Sequence, residues 1–209
     1  MKQSKFLFVT GMAILSFLIS TSFFSCLTLN KIDEIEEKRI YISRRLTAKG
    51  ELNACQLSDF FLLNEQSLSR EELIDFAQLY IDEATTEGIN SDIAFAQMCH
   101  ETGFLQFGGL VQKEWHNYCG LGAISKEQPG CQFETEQLGV RAHIQHIQAY
   151  ATTENISLNN ELIDPRYSWV HKTKFAVTVG DLAKSWATDP EYAVKLETML
   201  ERMEKSVNR

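Results

Sequence analysis

The chain has 209 residues, of which 44% are apolar, and a formal net charge of -8 at pH 7. This length and apolar content suffice for one folded domain with a core plus an appended segment. The negative charge argues against nucleic acid as a partner, because an acidic protein gains no long-range attraction to an anionic polymer.

The N-terminus has the pattern of an export signal. Lys2 and Lys5 precede a largely apolar run, residues 6–24, and a cysteine follows at position 26. Charged residues before an apolar run are typical of a secretory signal, and the run's end resembles a bacterial lipobox. Residues 1–26 are therefore predicted to be a signal peptide or lipoprotein anchor, with Cys26 lipidated. The alternative is an uncleaved membrane anchor, since the run is near the roughly 20 residues that span a bilayer.

Export would place the protein on the periplasmic or cell-surface side of the membrane, where disulfides can form. Four cysteines remain after Cys26, namely Cys55, Cys99, Cys119 and Cys131. The pair favoured by proximity is Cys119 with Cys131, which flank a short loop. Four free thiols are an equally weighted alternative.

Residues 27–66 are predicted to be a stalk or linker, with an exposed helix over residues 31–46, where isoleucines recur among many charges. The folded domain is predicted to be residues 67–209. Ser69 and Glu72 form a capping box for its first helix, which ends at Gly88.

Helical spacing of apolar residues predicts four more helices, at about 91–103, 136–152, 179–186 and 190–206. Residues 167–179 have a weak strand pattern. The fold class expected from these elements is mainly α.

Glu101 is the leading candidate for chemistry. It lies at the end of the second predicted helix, among apolar residues, and a turn rich in glycine and phenylalanine follows it. Apolar surroundings and the negative end of a helix dipole both raise the pKa of a carboxyl group. A carboxylic acid that stays protonated near neutral pH can protonate a leaving oxygen, as in glycoside hydrolysis.

Aromatic residues supply candidate platforms for sugar rings, although any single one is more often a core residue. The candidates are Trp115, Tyr118, Tyr167, Trp169, Trp186 and Tyr192. His143 and His146 lie three apart on a predicted helix, but they lack a recognised metal-ligand spacing. No metal or other cofactor is predicted, and His143 is interpreted as packing beside its isoleucine neighbours.

Four blocks of sequence, residues 94–109, 117–122, 139–146 and 186–192, resemble the glucosaminidase-type autolysins of glycoside hydrolase family 73. The resemblance covers about residues 67–206. It implies a compact, lysozyme-like helical domain with a substrate cleft. It also implies hydrolysis of the β-1,4 bond between N-acetylglucosamine and N-acetylmuramic acid in the glycan strands of peptidoglycan.

By this resemblance Glu101 matches the catalytic acid of the family. The loop lining the cleft matches Asn117, Tyr118 and Gly120. The family's closing block usually begins with tyrosine, and here Trp186 stands in that place, so no phenolic hydroxyl is expected there. Tyr192 matches the second aromatic of the block.

An inverting glycosidase also needs a base, roughly 6.5–9.5 Å from the acid. Glu134 and Glu136 lie where family members often carry this second carboxylate. Glu136 is the better candidate, because the first turn of a helix keeps a carboxylate ionised. The alternative is attack by the substrate's own acetamido oxygen, which needs no protein base.

The sequence therefore predicts an exported, membrane-tethered peptidoglycan hydrolase with Glu101 as general acid. Two other functions stay open at this point. One is a non-catalytic lipoprotein that binds the cell wall, and the other is a lytic transglycosylase of the same fold, which releases a 1,6-anhydro sugar.

Overall fold

A computed structural model describes residues 39–154 and 157–209, and Ile40–Arg209 form one compact unit. In these residues there is no β-strand, only an isolated antiparallel bridge between Arg45 and Thr178. The mainly helical fold is therefore confirmed for the folded unit. Its elements in chain order are α1 (Ala54–Leu62), α2 (Arg70–Glu87), α3 (Ser91–Thr102), a 3₁₀ turn (Lys113–Trp115), α4 (Glu136–Ala151), α5 (Tyr167–Thr173), α6 (Val179–Trp186) and α7 (Tyr192–Val207).

The ends of the helices follow local chemistry. Ser69 and Glu72 form the predicted capping box at the start of α2, and Gly88 ends that helix in the left-handed conformation, with φ of 69°. Helix α7 begins at Tyr192, two residues later than the Asp-Pro sequence at 189–190 predicts.

Helix α3 runs through the core and contacts α2, α4 and α7. Every residue from Ser91 to Cys99 is buried. The Asn90 side chain caps its N-terminus and accepts hydrogen bonds from the backbone N–H of Asp92 (3.0 Å) and Ile93 (3.4 Å). Burial decreases only in the last turn, so the helix delivers Glu101 from the core to the surface.

The predicted stalk boundary at residue 66 is too late, because residues 40–66 belong to the folded unit. Residues 39–46 are not helical, and the part of the predicted helix before residue 39 lies outside the described residues. Apolar side chains throughout this segment are buried, and they include Ile42, Leu46, Leu52, Leu57, Phe60 and Phe61. Polar contacts fix its course, since Arg44 pairs with Glu197 at 2.7 Å and with Glu204 at 2.6 Å.

The weak strand prediction for residues 167–179 is wrong over its first half, which is helix α5. Tyr167 and Val170 are buried three residues apart, the spacing of one helical face. The second half is extended, and Thr178 makes the isolated bridge to Arg45 there.

All four cysteines of the folded unit are free. The pairing of Cys119 with Cys131 is therefore absent, and the alternative of four free thiols describes the structure. The predicted signal or anchor, residues 1–26 with Cys26, lies outside the described residues. Within residues 39–154 and 157–209, no helix has both the length and the apolar character needed to cross a bilayer.

Candidate active site

Glu101 occupies the last turn of α3, and Gly103 ends this helix in the left-handed conformation, with φ of 58°. Phe104 and Leu105 follow with φ of 56° and 61°, values that are costly for residues with a Cβ. Thr102 holds this turn: its hydroxyl donates to Met98 O at 2.8 Å and accepts from the Leu105 N–H at 2.9 Å. The helix therefore ends one residue after Glu101, at Thr102, in a turn that its own contacts fix.

Two side chains from the end of the chain donate hydrogen bonds to one oxygen of Glu101. Trp186 Nε1 donates to Glu101 Oε1 at 3.0 Å, and the Tyr192 hydroxyl donates to the same oxygen. The other oxygen, Oε2, has no hydrogen-bond partner among the described residues and is open to solvent. The two oxygens of the carboxyl group thus have different environments.

Burial raises the pKa of Glu101, as its apolar surroundings predict. The hydrogen bonds from Tyr192 and Trp186 favour the ionised form and oppose this effect, but burial is the larger influence. Burial also raises the pKa of the nearby Cys119 thiol. The surroundings of Glu101 therefore favour its protonated form.

Trp186 replaces the missing phenolic hydroxyl with an indole N–H. The position was predicted to lack a hydroxyl donor, and the structure shows that donation to Glu101 persists through Nε1. The indole packs against Tyr150 and edge-on against His146, with ring centroids 5.5 Å and 5.0 Å apart. His146 is itself held by Asp164, at 2.7 Å from Nδ1 to Oδ2. The donor to Glu101 therefore has a fixed orientation.

The loop that starts at Asn117 is held from inside by that residue. Its amide nitrogen donates to Leu121 O and Cys131 O, both at 3.0 Å, and its oxygen accepts from Leu121 N at 2.8 Å. Asn117 is 1% exposed, so its observed role is to hold the loop, and a contact with substrate stays a prediction. Gly120 has φ of 65° and open space where a Cβ would lie.

Residues 77–205 match the glucosaminidase family model, described as mannosyl-glycoprotein endo-β-N-acetylglucosaminidase. This chain belongs to the glucosaminidase family. It is a glycoside hydrolase of the type that acts on peptidoglycan. It is also 40% identical over 155 residues to an uncharacterized protein of Borreliella burgdorferi, covering 74% of each chain. No solved structure matches.

In this glucosaminidase, Glu136 is the first residue of α4 and is exposed. It lines a pocket of about 580 Å³ together with Tyr118, Phe76 and His116. The Tyr118 ring contacts Phe76 edge-on, with centroids 5.0 Å apart. The structure thus groups the predicted site residues in two sets, Glu101 with its two donors and Glu136 with Tyr118.

The other aromatic candidates have different surroundings. Tyr167 is buried, and its hydroxyl donates to Gln148 at 2.6 Å. Trp169 is 51% exposed and has Arg166 over its ring, 5.3 Å from the centroid. Trp115 is half-buried in the 3₁₀ turn. Within the part of the chain that the structure describes, neither Tyr167 nor Trp169 makes a hydrogen bond or a ring contact with Glu101, Trp186 or Tyr192.

Two buried polar residues lie behind the glucosaminidase site: Gln97, which the sequence did not single out, and His143, which was interpreted only as a packing residue. Gln97 is fully buried and donates to the Tyr192 hydroxyl at 2.8 Å. His143 is also fully buried, and its Nε2 lies 3.2 Å from Gln97 Oε1. The available signal was a glutamine four residues before Glu101, on the same face of an otherwise apolar helix.

Proposed function

We propose that the protein is an endo-β-N-acetylglucosaminidase that hydrolyses the GlcNAc-β-1,4-MurNAc bond of peptidoglycan, with Glu101 as general acid. The observation that supports this role is the unequal state of its carboxyl oxygens. Oε1 accepts from Trp186 and Tyr192, whereas Oε2 is open to solvent. A neutral carboxyl group would therefore carry its proton on Oε2, where a substrate can reach it.

The chemistry follows from this arrangement. The Oε2 proton moves to the bridging oxygen as the bond from that oxygen to the anomeric carbon breaks. Water then supplies a hydroxyl group to the anomeric carbon, the group that activates the water takes up its remaining proton, and exchange with solvent returns a proton to Glu101. The carboxylate formed during proton transfer is stabilised at Oε1 by the two donors, which bind the charged form more strongly than the neutral form.

The group that activates water is proposed to be Glu136, with the acetamido oxygen of the substrate as the alternative. Glu136 is exposed at the N-terminus of α4 and lines the pocket that contains Tyr118. A helix N-terminus favours the ionised carboxylate that a base requires. Tyr118 and Gly120 are proposed to line the same substrate path on the loop that Asn117 holds, and the open space beside Gly120 lets a flat ring approach the backbone.

The decisive experiment compares the native protein with Glu101→Gln on purified peptidoglycan. The variant keeps the shape of the side chain but has no acidic proton, so hydrolysis should fall by at least about 100-fold while thermal unfolding shows an intact fold. Glu71→Gln is the matched control, because it neutralises an exposed glutamate in the first turn of α2. Undiminished activity in Glu101→Gln would refute the role of the acid.

Mass spectrometry of the released fragments shows which glycosidic bond of peptidoglycan is cleaved. Hydrolysis as proposed yields reducing ends on N-acetylglucosamine. Reducing ends on N-acetylmuramic acid would identify cleavage of the other glycosidic bond, and 1,6-anhydro ends would identify a lytic transglycosylase. A high-mannose glycoprotein belongs in the same assay as a second substrate, because the family description names mannosyl-glycoproteins.

We also propose that the protein is exported and tethered to the membrane by a lipid on Cys26. The sequence pattern of residues 1–26 supports this proposal. Tethering would place the enzyme beside the cell wall. Cells fed a labelled fatty acid should label the native protein and Cys55→Ala, whose cysteine is exposed in the folded unit, but not Cys26→Ala. Label in Cys26→Ala would refute lipidation at that residue.

A further inference from the structure

A line of buried hydrogen bonds leads from the core to Glu101. The Tyr80 hydroxyl lies 3.0 Å from His143 Nδ1, and His143 Nε2 lies 3.2 Å from Gln97 Oε1. Gln97 Nε2 donates to the Tyr192 hydroxyl at 2.8 Å, and that hydroxyl donates to Glu101. Tyr80, Gln97 and His143 are fully buried and Tyr192 is 3% exposed, so water does not substitute for a missing partner.

The chemistry of each group fixes the direction of donation along this line. Tyr192 has one hydroxyl proton and gives it to Glu101, so its oxygen must accept from the amide nitrogen of Gln97. The Gln97 oxygen then faces His143 Nε2, which must carry the ring proton. His143 Nδ1 is left as the acceptor for Tyr80. Every hydrogen bond therefore donates toward Glu101.

The line requires a neutral imidazole, because a doubly protonated ring has no acceptor for Tyr80. Burial lowers the pKa of His143 to about 3, with His146 adding to the effect, so the ring is neutral at working pH. The other titratable groups beside Tyr192 and Glu101 are His100 and Cys119. Burial lowers the pKa of His100 and raises that of Cys119, which favours the neutral form of both.

We propose that Gln97 and His143 are positioning residues that hold the Tyr192 hydroxyl as a donor to Glu101 Oε1 and thereby reserve Oε2 for the proton that is transferred. This inference rests on the proposed role of Glu101 as general acid. If Gln97 presented its oxygen to Tyr192, that hydroxyl would donate to Gln97 and Glu101 would lose one of its two donors. The orientation of a buried amide, set by His143, thus determines the strength of the acid.

The positioning role differs from a structural one in what it changes. A donor to Oε1 stabilises the carboxylate that forms when Oε2 loses its proton. Its loss makes Glu101 a weaker acid with a higher pKa, so kcat falls and the basic limb of the kcat–pH profile moves to higher pH. A loss of packing alone lowers the folded fraction and leaves the limb in place.

The first test is direct. Nitrogen NMR of the protein labelled in histidine should show His143 as the neutral tautomer protonated on Nε2 between pH 5 and 8, the range (about two units above its pKa) in which it stays neutral. The ring signal is identified by its change in Tyr80→Phe. A His143 ring protonated on Nδ1 would overturn the proposed direction.

The second test uses kinetics on purified peptidoglycan. Gln97→Met keeps the length of the side chain but cannot donate to the Tyr192 hydroxyl, which is then no longer held toward Glu101. The value of kcat should fall by up to about 10-fold and the basic limb should rise by up to about one pH unit, with KM unchanged. Tyr80→Phe removes one hydroxyl four hydrogen bonds from Glu101 and should move the limb in the same direction by less. This second variant decides the question if Gln97→Met does not fold.

Tyr167→Phe is the matched control, because it deletes another buried hydroxyl that bonds to a glutamine, Gln148, at 2.6 Å. Its basic limb should coincide with that of the native protein. Limbs that coincide in Gln97→Met and Tyr80→Phe as well would overturn the positioning role. If the limbs coincide but Glu101→Gln is inactive, the role of Glu101 as the acid stands and only the positioning role is refuted. An active Glu101→Gln would refute the role of Glu101 itself.

Discussion

Trp186→Phe isolates the hydrogen bond between the indole and Glu101. The substitution removes Nε1, which donates to Glu101 Oε1 at 3.0 Å, and keeps an aromatic ring against His146 and Tyr150. A hydrogen bond to a charged group contributes about 1.5–3 kcal/mol, and the lower value applies to this half-buried carboxyl. Since one pKa unit corresponds to about 1.4 kcal/mol, the pKa of Glu101 should rise by about one unit.

The assay is the release of reducing ends from purified peptidoglycan as a function of pH. With Glu101 as general acid, activity is lost as pH rises through its pKa, so the basic limb should move up by about one pH unit. The smaller ring also leaves a gap that costs about 1–3 kcal/mol, which the unfolding temperature will report separately. Trp169→Phe, at an exposed tryptophan, controls for the loss of an indole elsewhere. A basic limb identical to that of the native protein would refute the reasoning.

Three further outcomes are expected. Glu136→Gln should lower hydrolysis by about 100-fold if this residue is the base, and near-native rates would favour the acetamido route. Burial raises the pKa of Asp92 to about 6. Its contribution to stability is therefore present below pH 4 and is lost as pH rises through 6. In urea unfolding, Asp92→Asn should reduce the difference in the free energy of unfolding between pH 4 and pH 8 by about 3 kcal/mol. Gly139→Ala should destabilise the protein by about 1–3 kcal/mol, because the new Cβ would lie 1.9 Å from His116 O. Gly180→Ala, where no atom lies nearer than 3.8 Å to the new Cβ, should stabilise the protein by about 0.5 kcal/mol. Equal unfolding temperatures for the two variants would contradict both expectations.

The parts of the fold that the sequence predicts well depend on local chemistry. The capping box at Ser69 and the left-handed glycines at positions 88 and 103 involve residues a few positions apart. The same reasoning failed for residues 40–52, because the recurring apolar residues predicted an exposed helix, whereas a segment that is neither helix nor strand buries Ile42 and Leu46 in the core. Its charges resembled those of a solvated linker, although Arg44 serves to bind α7.

In the candidate site, too, local sequence patterns predict only what depends on neighbouring residues. Glu101 was found because its immediate neighbours are apolar and a glycine ends its helix. Its donors and their supports come from residues 46 to 95 positions apart along the chain, and no local pattern shows which polar side chains will meet. The sequence predicted only that Trp186 lacks a phenolic hydroxyl, whereas in the folded chain its indole N–H donates a hydrogen bond to Glu101.

The third block of the family resemblance, residues 139–146, gains a physical explanation from the structure. Gly139 gives room to the carbonyl of His116. Arg141 pairs with the buried Glu83 through two hydrogen bonds of 2.8 Å and 2.9 Å. His143 lies in the line that ends at Glu101. One helix thus joins the loop of Asn117, the core and the acid.

The contact between Trp186 and Glu101 also gives the enzyme an optical probe of its own. Indole emission responds to the charge and hydrogen bonding of its immediate neighbours, and the Trp186 indole donates a hydrogen bond to the carboxyl group of Glu101. The chain has three tryptophans, so replacing Trp115 and Trp169 by phenylalanine leaves one fluorophore at the site. Its emission as a function of pH would follow the titration of the acid in the resting enzyme, without substrate and without turnover.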